Sequence, residues 1–175
     1  MTLVCPGDPS CIAGVATTFQ SANLTRVRIY GAEARGSWNF TPDWRIDGAI
    51  AYAHGTDEDR DQPINSVEPL RASFGIARDA GEWGSEARLR LATKKSRIDD
   101  SAGRYFRTPG YGTVDLSAWS KLGSNMRVTA AVNNLLDKKY WLWSDIRQAE
   151  TTNPAGVDFY TQPGRNFSVA LQANF

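Results

Sequence analysis

Cys5 and Cys11 bracket Pro6-Gly7-Asp8-Pro9-Ser10, a short span whose two prolines and glycine suit a tight loop. They are the only cysteines, and in an oxidising compartment the pair would form a disulfide that stiffens the loop. With one histidine, His54, the chain lacks the Cys and His for a four-ligand structural zinc site, so metal chemistry would have to recruit carboxylates. Carboxylates follow His54 directly, in Asp57-Glu58-Asp59-Arg60-Asp61. That run lacks the glycine and the distant bidentate glutamate of an EF-hand loop, which leaves loosely held Ca²⁺ as its metal chemistry. His54 has two chemical readings, an auxiliary ligand to a metal-containing group or an acid–base group paired with Asp57 in a hydrolase. No serine or cysteine nucleophile motif accompanies it, so a rim histidine beside a solvated acidic loop is favoured over both.

The elements that must position these residues are strands. From Tyr30 to Phe40 the even positions are Tyr30, Ala32, Ala34, Gly36, Trp38 and Phe40, against Glu33, Arg35, Ser37 and Asn39. After Thr41-Pro42-Asp43, Trp44, Ile46, Gly48, Ile50 and Tyr52 alternate with Arg45, Asp47, Ala49, Ala51 and Ala53. This period of two predicts strands with one apolar face. Tyr30, Trp38, Phe40, Trp44 and Tyr52 mark the ends of that face as an aromatic girdle. Further strands are predicted over 68–79, 83–94, from 111, from 126 to 133, and over 165–175, where Phe167, Val169, Leu171, Ala173 and Phe175 alternate with polar or small residues. The opposite faces carry Glu33, Arg35, Arg45, Asp47, Arg88 and Arg90, a polar wall of mixed sign.

Composition narrows the setting. Twenty Lys and Arg against 19 Asp and Glu give a net charge of +1, so there is no basic field to draw in nucleic acid. A length of 175 residues is enough for one domain, and 41% hydrophobic with 22% charged residues excludes a disordered chain. A mean hydropathy of -0.43 and the absence of any long apolar run exclude a spanning helix but leave a membrane β-barrel open. Met1-Thr2-Leu3-Val4-Cys5-Pro6 has no basic region followed by an apolar core, so it does not read as a signal peptide.

Connections alternate in length: short turns at 41–43, 79–82 and 122–125, long polar loops at 54–67, 95–110 and 134–164. Short periplasmic turns and long outer loops are how an outer-membrane barrel is built. Tyr30 to Trp38, at about 3.3 Å per residue and a tilt of about 40 to 45°, rises about 19 to 20 Å, within an apolar band about 25 Å tall. A soluble β-barrel that binds small molecules is the rival; its strands seldom run this long with aromatics at both ends.

Asn133-Asn134-Leu135-Leu136-Asp137-Lys138-Lys139-Tyr140-Trp141, then Gln162-Pro163-Gly164-Arg165-Asn166-Phe167 and a closing strand to Phe175, resemble the C-terminal signature of TonB-dependent outer-membrane receptors. Asn23 to Glu33, Glu68-Pro69-Leu70 and Pro109 to Leu116 resemble further strands of that family, in family order. The resemblance implies an antiparallel transmembrane β-barrel in a Gram-negative outer membrane, with extracellular loops, a periplasmic C-terminus and no catalysis. It implies contact with lipid and lipopolysaccharide, with the barrel-assembly machinery through Phe167 and Phe175, and with the rest of the barrel and a plug through which TonB acts. Asn133, Asn134 and Asp137, where a strand gives way to a loop, are expected to satisfy unpaired backbone rather than bind ligand. The Gln162-to-Phe167 form is most similar to the haem and haemoglobin receptor branch, making haem the expected cargo of a complete receptor and no cofactor resident here.

The expected organisation is an outer loop over 1–23 and barrel strands over 24–175. Receptors of this kind use about 22 strands around a plugged lumen, and single-chain bacterial barrels have an even number. Seven strands beginning in a loop would leave two edges unpaired in lipid, at several kcal/mol per exposed backbone group. The expectation is therefore an incomplete barrel, one segment of a longer wall.

Overall fold

The computed structural model describes residues 2–3, 19–20, 26–101, 103–147 and 149–174. Two short strands, β1 (Thr2–Leu3) and β2 (Phe19–Gln20), pair antiparallel with each other. The long strands are β3 (Val27–Asn39), β4 (Trp44–Asp57), β6 (Arg71–Asp79), β7 (Trp83–Ala92), β8 (Tyr111–Leu122), β9 (Met126–Asn133) and β10 (Asn166–Ala173), with β5 (Gln62–Pro63) between the second and third. Each long strand pairs antiparallel with the next, in the order β3-β4-β6-β7-β8-β9-β10, and β5 caps the end of β4. The sheet is a meander that does not close, with β3 and β10 at its edges.

Turn chemistry explains the tight connections. Gly81 and Gly123 sit at φ +80° and +75°, left-handed values that glycine reaches without a Cβ penalty. The Asp79 carboxylate accepts the Gly81 amide at 2.9 Å and closes the first of these turns. The strand expected from Glu68 begins instead at Arg71, because Pro69 has no amide for the ladder.

Register decides what each face carries, since paired residues point to the same side. One row crosses the whole sheet as Trp38, Ile46, Ile76, Ala87, Leu116, Val132 and Phe167. The adjacent row on the other side reads Ser37, Asp47, Gly75, Arg88 and Asp115. The sheet thus has one apolar face and one polar face.

The long connections are more structured than polar loops. The last of them holds two short helices, α1 (Trp143–Ile146) and α2 (Pro154–Phe159). Asn153 caps α2 by accepting the Gly156 amide at 3.0 Å, and Pro154 starts it where a missing N–H costs nothing. Ile98, Trp143, Ile146 and Val157 form a buried cluster there, joined by Tyr105, Phe106, Trp141 and Ala149. The three connections meet in this cap at one end of the sheet.

Candidate functional site

The polar face is held by ion pairs that run across strands. Arg88 on β7 donates to both oxygens of Asp47 on β4, at 2.9 and 3.2 Å, reaching over β6 between them. It can do so because the intervening residue is Gly75, where a Cβ would lie 2.7 Å from the Asp47 carboxylate and 2.9 Å from the Arg88 guanidinium. Glu86 takes the remaining side of the same guanidinium at 2.7 Å, and Arg90 pairs with Asp115 on β8 at 3.0 Å. Arg90, Glu33, Arg71 and Tyr111 line a shallow depression on this face nearer the cap. Toward the short-turn end Trp119 lies over Gly84, with the Arg127 guanidinium 3.9 Å from its ring centroid.

Where the sheet meets the cap, the Asn133-to-Tyr140 and Pro163-to-Arg165 segments form one knot. Asn134 is buried at φ +50°, a left-handed value that asparagine adopts more readily than most residues. Its amide donates to Asp115 at 2.8 Å, its side-chain oxygen accepts the Lys138 amide at 2.9 Å, and its side-chain nitrogen donates to the carbonyls of Lys138 and Pro163. Asp137 accepts the Arg165 amide at 2.8 Å across Gly164, whose missing Cβ makes room for that carboxylate. Asn133 bonds Asn166 at 3.0 Å, the Leu135 amide reaches Val114, and the Tyr140 carbonyl accepts from Gln162. The knot ties β8, β9 and β10 together as the backbone leaves the ladder.

Inside the cap, Asn65 joins all three long connections. Its side chain exchanges two hydrogen bonds with the Asp99 backbone, at 2.8 and 2.7 Å, and its carbonyl accepts the Trp143 indole N–H at 2.7 Å. Lys95, buried beside it, donates to the Val67 carbonyl at 2.6 Å with its ammonium 5.1 Å from the Trp143 ring centroid. Burial lowers the Lys95 pKa, against the pull of Glu68 and with help from Arg97. Burial also raises Tyr105, with Glu150 and Asp99 adding to the effect.

His54 lies on the apolar side of β4, opposite Tyr30, with the two rings stacked at 4.9 Å. An Arg97 N–H reaches the imidazole at 2.5 to 2.7 Å, and the Tyr52 hydroxyl stands 3.4 Å from Nδ1. Asp57 is buried on the other side of the strand, accepting the Asp59 and Arg60 amides. His54 and Asp57 are therefore not brought together. No cluster of three or more His, Cys, Asp or Glu side chains suited to a metal occurs among the described residues.

The girdle residues separate into two groups. Tyr30 and Tyr52 stand near the cap; Trp38, Phe40 and Trp44 cluster at the short-turn end, with ring centroids 6.0 and 6.2 Å apart in sequence order. Arg78 joins the lower group, its guanidinium 5.7 Å from the Trp44 ring and 4.8 Å from the Trp83 ring. Phe167 points out of β10 on the apolar side, 73% exposed. Cys5, Cys11 and Phe175 lie outside the described residues.

Residues 3–135 match the family model described as "TonB dependent receptor-like, beta-barrel". The chain belongs to that family. Hemoglobin-haptoglobin utilization protein B of Neisseria meningitidis serogroup C is 25% identical over 185 residues, covering 90% of this chain and 23% of the relative. Lactoferrin-binding protein A of Neisseria meningitidis serogroup B is 31% identical over 134 residues, 66% of this chain and 14% of that protein. Among solved structures, the copper transporter OprC superposes with a TM-score of 0.74 at 26% identity, covering 85% of this chain and 24% of that one. The ferric enterobactin receptor PfeA of Pseudomonas aeruginosa superposes with a TM-score of 0.68 at 21% identity over 87% of this chain and 23% of the receptor, a likeness of fold. The chain spans about a quarter or less of the length of these relatives.

In this segment of a TonB-dependent receptor barrel, strand alternation does not announce the cap core or the Asn65 junction. The apolar run Trp141-Leu142-Trp143 inside an otherwise polar connection, and the Asn153-Pro154 helix start, were the available signals. Asn65 carried none, because its partners lie in other loops.

Proposed function

We propose that this chain forms the C-terminal part of the wall and outer loops of an outer-membrane TonB-dependent receptor that takes up an iron-containing ligand, with haem or a haem protein as cargo. The observation that carries the reading is the two-faced sheet: a continuous apolar row from Trp38 to Phe167 backed by the Asp47–Arg88 and Arg90–Asp115 pairs. Such a sheet is stable with lipid on one side and a hydrated interior on the other. Seven long strands would supply about a third of a wall of about 22 strands, with β3 and β10 paired to the rest of the barrel. The cap lies on the extracellular side in this reading and the short turns in the periplasm, toward which β10 runs from Phe167 at its cap end; Phe167 and Phe175 together form the assembly signal. A plug within the complete barrel would meet the polar face and couple it to TonB. The named partners of hemoglobin-haptoglobin utilization protein B, together with the Gln162-to-Phe167 form, favour haem over other cargo.

Two experiments test this. The purified chain should aggregate in buffer and become dispersed and β-rich in detergent; a stable monomer without detergent would support a soluble binding barrel instead. A haem-auxotrophic host lacking its own haem receptors, given the receptor that carries this chain, should grow on haemoglobin as haem source. Growth only on ferric siderophores as iron source would overturn the haem assignment and leave the receptor reading standing. For a hydrolase centred on His54, any ester or peptide hydrolysis should vanish in His54→Ala, and an inactive parent removes that reading.

A further inference from the structure

The cap carries a polar depression of about 460 Å³, within the range of about 300 to 1,000 Å³ that small-molecule sites occupy. Asn65, Ser66, Ser144, Asp145, Arg147 and Tyr160 line it, so the first and the last of the long connections both contribute. Its walls are fixed from behind. Trp143 and Ile146 are buried, and Asn65 is held by Asp99 and by the Trp143 indole. The Asp145 carboxylate accepts the Ser144 hydroxyl at 2.9 Å and the Gln162 side-chain amide at 2.8 Å, which ties α1 to the segment after α2. A carboxylate has about four lone-pair sites, so Asp145 keeps acceptor capacity for an incoming hydroxyl.

Tyr160 supplies a different chemistry. It follows α2 directly, exposed, and its ring meets that of Phe159 edge-on with centroids 5.4 Å apart. Phe159 is 83% exposed, more than any other large apolar side chain among the described residues. Lipid covers Phe167 and Val169 in the proposed wall, but Phe159 stands in the cap, next to the Lys139–Asp158 ion pair at 2.7 Å. Its support is firm: Val157 is buried, and the Trp141 indole donates to the Val157 carbonyl at 2.9 Å. Two aromatic rings are thus presented to water on a fixed helix end, beside a set of hydrogen-bonding side chains.

Charge narrows the occupant. Arg147 makes no ion pair with a carboxylate among the described residues, but Asp145 lines the same depression and Glu150, bonded to Thr152, lies close by in the chain. Lys139 and Asp158 cancel each other. The depression therefore has no positive excess to hold an anion. A lipid chain would use only the aromatic rings, and a simple ion only the polar groups. A sugar ring uses both, packing its C–H face on an aromatic ring while its hydroxyls exchange hydrogen bonds with carboxylate, guanidinium and hydroxyl groups.

We propose that this depression binds an uncharged hexose or N-acetylhexosamine unit of a glycan, with Tyr160 as the stacking platform and Ser66, Asp145 and Arg147 as partners for its hydroxyls. The site belongs to the cap alone and goes beyond the uptake reading, so it does not depend on which cargo the receptor carries.

The test mixes the full chain, in micelles of a sugar-free detergent, with the methyl glycosides of galactose, glucose, mannose, N-acetylglucosamine and N-acetylneuraminic acid, and reads saturation transfer from protein to sugar by NMR. At least one neutral glycoside should receive saturation, strongest at the ring C–H protons of one face. Tyr160→Ala and Arg147→Ala should each weaken its affinity about tenfold, whereas Tyr160→Phe should keep most of it. Both side chains are exposed, so hydrogen exchange over residues 141–159 should match the parent in every variant. Arg60→Ala, in another loop, should leave binding unchanged. Saturation of no neutral glycoside, equal binding in Tyr160→Ala, or stronger saturation of the N-acetylneuraminic acid glycoside overturns the sugar site and leaves the receptor reading standing.

Discussion

The wall and the cap of this chain fold by opposite uses of the same residue types. In the seven long strands most of the large apolar side chains stand outward: Trp38, Phe74, Leu89, Leu116, Phe167 and Val169 are all exposed. The buried hydrophobic residues Val67, Ile98, Trp143, Ile146 and Val157 all belong to the long connections. The cap therefore has a water-excluding core of the ordinary kind, whereas the wall has a hydrogen-bonded ladder with ion pairs on one side and an exposed apolar surface on the other, which lipid covers in the proposed receptor. Stability in the two regions should answer to different solvents, and each can be perturbed without the other.

The largest effect is expected from Trp143→Ala. Trp143 is 2% exposed, caps the cluster with Ile146 and donates to Asn65, so its removal should cost the cap about 3 to 5 kcal/mol. Hydrogen exchange should rise over residues 95–106 and 141–159 while the strand amides stay protected; loosening of β4 to β9 in step would show that the regions are not separable. Next comes Leu89→Arg, in the middle of the outer face beside Phe74 and Val114. It should cost about 2 to 4 kcal/mol in bilayers, read by denaturant titration, and leave cap exchange unchanged. Asn134→Ala tests the seam between the regions. It leaves the Lys138 amide and the carbonyls of Lys138 and Pro163 without their partner, and about 1 to 3 kcal/mol of lost stability should appear first in exchange at the ends of β9 and β10.

The smallest effect is one of pH and belongs to the cap alone. Burial holds Lys95 below its ordinary value of 10.5, so between that lowered value and 10.5 the opened cap binds more protons than the closed one. Cap stability should then rise with pH across that window. Tyr105, raised by burial above 10.0, opposes it from pH 10.0 upward, because the opened cap loses that proton first. Trp143 fluorescence followed against pH should show the rise, and Lys95→Met should flatten it.

The wall was legible in the sequence because its information is local. Alternation from Tyr30 to Tyr52 states both the strands and the face of every residue, and the parity that set Asp47 and Arg88 on one side holds in the structure. The shifts of two to four residues at strand ends follow from Pro69 and from pairing beyond the apolar band, which alternation alone does not report. The cap was less legible, since Ile98, Trp143 and Val157 come from two connections and meet only after the strands bring their ends together. Asn134 and Asp137 stood out by motif; Gly75 gained its meaning only when the register put it beneath the Asp47–Arg88 pair.

In the proposed wall the Trp38-to-Phe167 face meets lipid and the Asp47-to-Asp115 face meets water. This arrangement is tested most directly by spin labels placed one at a time at 86 to 91 on β7 of the chain in a bilayer, with Cys5 and Cys11 first changed to serine. Labels at 87, 89 and 91 should be relaxed by oxygen, and those at 86, 88 and 90 by a water-soluble nickel chelate. Uniform access to the chelate, or the reverse phase, would contradict the account.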